Sequence, residues 1–442
     1  MKKLIFTIIA GMTFAAAEAQ VTIPDYVRGS IYSIRLDAPS SSKQDFSKEI
    51  GIMTSVFDTL DYKHQYRKYN AFQAGERLMS SKALPEVSDD EAMAIATING
   101  NKKVKEDDKY AAQILKYLNN KKVGRDLVSK WFSKQTSTDL SKLDLDKEYT
   151  NIIQWGLMSL SEDQKIANKE QSMNNSDAAV MLTDQLLGST YVLVTRYDFA
   201  TPAEQVQDKI NEKLAPLYAK LEKAPALLKN SIQGTIDSQT ESLKQTFEST
   251  IKLNAVSAKS YLFKLKWTSL KDFDKYINNP ADFEKAADEF PLEYITTTKG
   301  TNILVTELAG QKIKVDKAVS RASLKVLNKN VNRLAQQYEP FAPIERLYTE
   351  EGTGTLYVKV GTQDGIDKDS KFTALKKEGN ALVAGGTLSV LKGGLWNNNT
   401  EEDDMENNMK TAESSDKDLT YTKLSGKAKG CSYVRLGVLK KK

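Results

Sequence analysis

Cysteine and histidine are almost missing from this chain of 442 residues: Cys431 and His64 each stand alone. One cysteine excludes an intramolecular disulfide, so stability has to come from burial, and a chain this long can build two or three cores of ordinary size. One histidine excludes a zinc site of the H-E-x-x-H kind, which needs two on one helix face. A Ser-His-Asp system would have to use His64, in the polar "LDYKHQYRKYN", and no G-x-S-x-G supplies a nucleophile elbow. A Cys-His nucleophile would have to bring Cys431 and His64 together from opposite ends of the chain. His64 is therefore read as a surface residue, and Cys431, beside the strand-like "SYVRLGVL", as a small packing residue.

An excess of one charge is missing too. Lysine and arginine number 63 against 58 aspartates and glutamates, and Lys and Glu alternate along stretches such as "QDKINEKLAPLYAKLEKA". That pattern is a solvated helix face, not a basic stripe, so no nucleic-acid partner is expected. The four tryptophans are scattered at 131, 155, 267 and 396, which speaks against an aromatic-lined sugar cleft. Trp131, Trp155 and Trp267 read as core residues on helical or strand faces. Carboxylates are plentiful, so a glycosidase-like pair stays open as a possibility.

Long apolar runs are confined to the start. "MKKLIFTIIAGMTFAAAEA" has two lysines, an apolar stretch from Leu4 to Phe14 and small residues at Ala17 and Ala19, the pattern of a secretory signal cut before Gln20. Its core is short of the ~20 residues of a permanent span. The expectation is an exported protein, periplasmic or outer-membrane-associated, with no transmembrane segment.

What is present is a sequence of legible elements. "SDDE" at Ser88 to Glu91 has capping-box spacing, and the stretches that follow, to about Leu187, carry apolar residues three and four apart. "TYVLVTRYDF", from Thr190 to Phe199, reads as a strand. Thr201, Pro202 and Glu204 restart a helix, and two long polar helices fill residues 202 to 250. "AKSYLFKLKWTSL" alternates, with Tyr261, Phe263, Leu265 and Trp267 on a core face and Lys264, Lys266 and Thr268 on a wet one. A helix is predicted from Val315 to Gln337, striped by Val319, Ala322, Val326, Leu327, Val331 and Leu334. Short β runs and glycine turns follow to the C-terminus.

Two stretches imitate sites. "VGTQDGIDKDSKF" sets Asp364, Asp367 and Asp369 among glycines, but a helix-loop-helix calcium loop needs glycine sixth and glutamate twelfth, and a phosphate loop needs G-x-x-x-x-G-K-[ST]. Neither register fits, and a tight connection does, with Gly361 and Gly365 free to turn and the aspartates bonding their own backbone; a low-affinity extracellular cation site is the alternative. "SSSK", from Ser40 to Lys43, matches S-x-x-K without its S-D-N and K-T-G partners.

"RGSIYSIRL", "VSKWFSK", "LLGSTYVLVTRYDF", "SYLFKLKW", "YVKVGTQDGI" and "TLSVLKGGLWNNN" together resemble a family of exported envelope proteins of anaerobic Gram-negative bacteria whose function is unknown. The resemblance covers most of the chain and rests on packing motifs, so it brings no catalytic residue with it. "VKVGTQDGIDKDSKF" with "GTLSVLKG" is also similar to SH3-like modules of envelope-assembly proteins, which implies binding or assembly by analogy.

The sequence thus predicts a multi-domain α+β protein. Its parts are a signal at 1–19, a mainly helical region at 20–189, a central α+β domain at 190–340, and a β module at 346–442, with an SH3-like half barrel and a mobile polar insertion at 397–418. No catalytic, cofactor-binding or metal-binding residue is assigned. The expected function is a non-catalytic binding or scaffold protein with an envelope protein or glycan as partner; the alternative is a carboxylate-dependent hydrolase acting on glycan. Oligomeric state is left open.

Overall fold

The computed structural model describes residues 26–27, 31–37, 42–59, 78–133, 184, 187–251, 253–277, 280–308, 311–338, 341–342, 344–350, 352–362, 366–378, 381–397 and 419–437. The predicted signal, His64, Trp155, Asp364 and nearly all of the polar insertion lie outside the described residues. In chain order the N-terminal elements are β1 (Tyr26–Val27), β2 (Ile31–Asp37), α1 (Ser47–Thr59), β3 (Leu78–Ser80), α2 (Asp89–Ile98), α3 (Glu106–Asn120), α4 (Val123–Ser133) and β4 (Tyr191–Ala200). The middle of the chain forms α5 (Pro202–Lys223), α6 (Ala226–Thr250), β5 (Ala255–Leu265), α7 (Leu270–Ile277), α8 (Pro280–Lys285), β6 (Leu292–Ile303), the small hairpin β7 (Glu307–Leu308) and β8 (Gln311–Lys312), and α9 (Val315–Gln337). The last strands are β9 (Ile344–Arg346), β10 (Tyr348–Thr349), β11 (Leu356–Val358), β12 (Lys371–Glu378), β13 (Ala381–Val390), β14 (Thr422–Gly426) and β15 (Tyr433–Leu436). The protein is α+β.

A five-stranded sheet, ordered β3-β2-β4-β5-β6, organises the first three quarters. β2 runs parallel to both β3 and β4, while β4, β5 and β6 are antiparallel neighbours. The regions 20–189 and 190–340 therefore share one sheet, because Ile31 to Leu36 pair residue by residue with Tyr191 to Arg196. The run "YVLVT" that opens β4 is buried at every position, as a strand covered on both faces should be.

Each face of the sheet has its own core. On one, Ile31, Tyr191, Leu193, Val256, Ala258 and Leu262 meet α1 and the stripe Val319, Val326, Leu327, Val331 and Leu334 of α9. On the other, Tyr32, Ile34, Val192, Val194, Tyr261, Phe263 and Leu265 meet apolar residues of α2, α3, α4, α7 and α8. This confines the expected wet side of β5 to its C-terminal end. Tyr261, Phe263 and Leu265 are buried and Lys264, Lys266 and Thr268 reach water, as predicted, yet Ala258, Ser260 and Leu262, earlier on the same face as Lys264, are buried too. The stripe of α9 lies over that earlier part of the face. Trp267 is half-buried at the margin, where it packs on Phe273 and Phe290 and its indole N–H donates to Asp184 at 3.0 Å.

α9 is pinned as well as packed. The Asn330 side-chain amide donates to the Ala258 carbonyl (2.8 Å) and to Ser260 Oγ (3.0 Å) in the core. Gly300 on β6 makes room for this, since a Cβ there would stand 2.5 Å from Asn330 Oδ1.

β9 to β15 and β1 form one antiparallel sheet, ordered β1-β9-β15-β12-β13-β14-β11-β10. The end strand β10, paired with β11, follows directly on β9, which lies next to the other end strand, the two-residue β1, and Leu347 alone separates β9 from β10. The sheet is therefore a nearly closed barrel, with Val358, Phe372, Ala374, Leu388, Leu424, Val434 and Leu436 inside. That interior is continuous with the core under α9.

Candidate functional site

The residues that imitated sites have local tasks. Asp367 Oδ1 accepts from Ser370 Oγ (2.7 Å) and from the Asp369 amide (3.0 Å), so it caps its own turn. Ser42 Oγ lies 2.8 and 2.9 Å from the two oxygens of Glu204, at the start of α5. Cys431 Sγ sits over Gly385, where a Cβ would come within 2.5 Å of it, and burial pushes its thiol pKa up, against a smaller pull from Lys376. A raised pKa is the opposite of what a nucleophilic thiol needs.

Carboxylates were the remaining route to catalysis. Among the described residues, every carboxylate whose pKa is displaced moves down: Asp45, Glu91, Glu204, Glu289 and Glu350. A general acid needs the opposite shift. A depression between the end of β6 and the start of α9, lined by Asn302, Ile303, Val305, Ala318, Arg321 and Lys325, has room for a water-sized group and not for a sugar. Among the described residues no three acidic, histidine or cysteine side chains converge on a metal position.

A different constellation does converge, on the outer wall of the barrel. Period-two alternation sends Leu347, Val358, Val360, Thr422 and Leu424 inward, and thereby sends Arg346, Tyr348, Tyr357, Lys359, Tyr421 and Lys423 outward. Strand register then gathers them. Tyr348 stands opposite Tyr357 and Tyr357 opposite Lys423, so the rings of Tyr348 and Tyr357 stack at 5.2 Å and 14°, and those of Tyr357 and Tyr421 approach to 4.3 Å at 36°. All three rings are half-exposed.

Cations border this row. Lys359 Nζ is 5.3 Å and Arg346 Cζ 5.6 Å from the Tyr348 ring centre, and Lys423 Nζ is 5.9 Å from that of Tyr421. Such distances permit cation–π attraction, which holds long side chains beside the rings. Glu350 closes one end: its carboxylate accepts from Tyr421 Oη (3.0 Å) and Thr353 Oγ1 (2.7 Å). The Thr353 hydrogen bond, then the Tyr421 one, lowers the Glu350 pKa, and the same bond raises that of the Tyr421 phenol. The row is thus fixed before any partner arrives, which lowers the entropy lost on binding.

None of these tyrosines was singled out from sequence. A signal existed: Tyr357-Val-Lys359 and Tyr421-Thr-Lys423 repeat a Tyr-x-Lys spacing, and Arg346-Leu-Tyr348 has the same period. Comparison with known proteins finds no matching family model, no matching curated protein and no matching solved structure.

Proposed function

We propose that this chain is a non-catalytic binding or scaffold protein of the cell envelope, and that it engages an acidic partner surface through the Tyr348–Tyr357–Tyr421 row. The observation that carries the reading is the row itself: three stacked, half-exposed tyrosines flanked by Arg346, Lys359 and Lys423 on a rigid barrel wall. Tyrosine and arginine supply large, rigid contact area with a polar rim and are enriched where binding energy concentrates. The lysines favour a negatively charged partner and speed its encounter. The envelope assignment rests on the signal-like N-terminus and on the resemblance of the six sequence segments quoted above.

The test is affinity capture from envelope extract with residues 20–442, in parallel with a variant carrying Tyr357→Ser, Lys359→Gln and Lys423→Gln. The reading expects a captured component that the variant fails to retain. Equal retention by both proteins places the binding surface elsewhere; turnover of a glycan substrate by the captured complex, abolished by a carboxylate substitution, replaces the reading with the hydrolase.

A further inference from the structure

α5 and α6 form an antiparallel hairpin with a seam of its own: Val206, Ile210 and Leu214 pack with Ile236 and with neighbours such as Leu217 and Phe247. Helices of 22 and 25 residues reach roughly 33 to 37 Å at 1.5 Å per residue. The base is tied to the body, with Glu204 gripped by Ser42 and by the Lys43 amide, and Gln205 Nε2 donating to the Leu253 carbonyl at 2.7 Å.

The far end breaks the pattern. Where the chain turns through Ala224 and Pro225, Leu227 is 95% exposed, Leu228 54% and Tyr218 41%. A leucine exposed so fully contributes nothing to the seam. Charge is sorted along the hairpin in the same sense. Residues 217–232 carry three lysines, Lys220, Lys223 and Lys229, against Glu222 alone, whereas the rest of the two helices carries six carboxylates and three lysines.

We infer that the hairpin tip is a peripheral membrane anchor, which seats Leu227, Leu228 and Tyr218 at the acyl-chain boundary of an anionic bilayer with the three lysines at its phosphates. The apolar surface is at the end of the hairpin, and a helix laid in a protein groove would instead carry it along one stripe. A convex tip has no walls to enclose a small ligand. Leucine and tyrosine beside lysine is the composition of an interfacial contact, with tyrosine at headgroup depth. The acidic remainder of the hairpin is repelled by the same surface, so the arm stands on the membrane and does not lie along it. No helix among the described residues is long and apolar enough to cross a membrane, which agrees with contact at one leaflet.

The test is flotation of residues 20–442 with vesicles of phosphatidylcholine alone and of phosphatidylcholine mixed with phosphatidylglycerol. Binding to the mixed vesicles is expected, falling at least about tenfold for Leu227→Ser with Leu228→Ser, because two buried leucines are removed from the contact. Lys220→Gln, Lys223→Gln and Lys229→Gln together should weaken it by about fivefold per charge and remove its salt dependence. Thermal melting of all variants should match the parent, since these side chains are exposed. The inference is overturned by absence of binding, by binding that tip substitutions leave unchanged, by equal binding to phosphatidylcholine alone, or by sedimentation showing a dimer that the leucine substitutions dissolve.

Discussion

The Tyr357 and Tyr421 rings lie 4.3 Å apart, centre to centre, although 64 positions separate them in the chain. β11 and β14 bring them together, and Glu350 holds the Tyr421 hydroxyl. Tyr357→Ala removes both ring contacts of the middle tyrosine and should lower stability by about 1 to 2 kcal/mol. Tyr421→Phe loses only one hydrogen bond at the surface and should cost less than Tyr357→Ala. Urea unfolding of the two variants checks the order; the reverse order would mean that the hydroxyl and not the stacking organises the row.

β5 offers a sharper test of the double-faced sheet. Phe263 and Leu262 are both 0% exposed, toward opposite cores. Phe263→Ala should cost about 3 to 5 kcal/mol and Leu262→Ala about 2 to 5, while Lys264→Ala stays within about 0.5. If Leu262→Ala were as mild as Lys264→Ala, α9 would not cover that face.

Glu204 links pH to the attachment of the hairpin. Burial works to raise its pKa, but hydrogen bonds from the Thr201 and Lys43 amides and from the Ser42 and Thr201 hydroxyls hold it at about 2, below the ordinary 4.5. Its folded-state value is depressed, so its contribution is complete above the ordinary carboxylate range and is lost as pH falls toward 2. Glu204→Gln should therefore destabilise the protein at neutral pH by about 1 to 2 kcal/mol, as loss of a capping partner does, and the gap to the parent should close on acidification. A gap that is constant from pH 7 downward would show that the carboxylate charge is not involved.

Asp108 is 1% exposed and satisfied by neutral donors: Asn99 Nδ2 at 2.7 Å, Asn101 Nδ2 at 3.0 Å and the Lys105 amide at 3.0 Å. Asp108→Ala would strand all three where α2 passes into α3. About 2 to 4 kcal/mol should be lost, with a smaller loss for Asp108→Asn, which retains one acceptor oxygen. Thermal or urea unfolding of both variants decides this.

Much of this architecture could be read from the sequence wherever a local rule and the tertiary fold agree. The stripe from Val319 to Leu334 marks α9, and the capping boxes at Ser88–Glu91 and Thr201–Glu204 mark two helix starts, because those signals are complete within a few residues. The pairing of β2 with β4 was not legible, since partners more than 150 positions apart leave no local trace. Lys264, Lys266 and Thr268 were legible as the wet end of that face of β5, but its cover over Ala258 to Leu262 was not, for the same reason: alternation reports side-chain direction, and the helix that covers a face is encoded elsewhere. The tyrosine row shows the limit most clearly. Each Tyr-x-Lys step is visible in the chain, but that the steps form one surface depends on barrel register.

The most direct test of the proposed binding face is amide hydrogen exchange on residues 20–442, free and with the partner captured from envelope extract. The account predicts that new protection concentrates in residues 344–359 and 419–426, the strands that carry Arg346, Tyr348, Tyr357, Lys359, Tyr421 and Lys423. Protection confined to other parts of the protein, with these strands exchanging at the free rate, would contradict it.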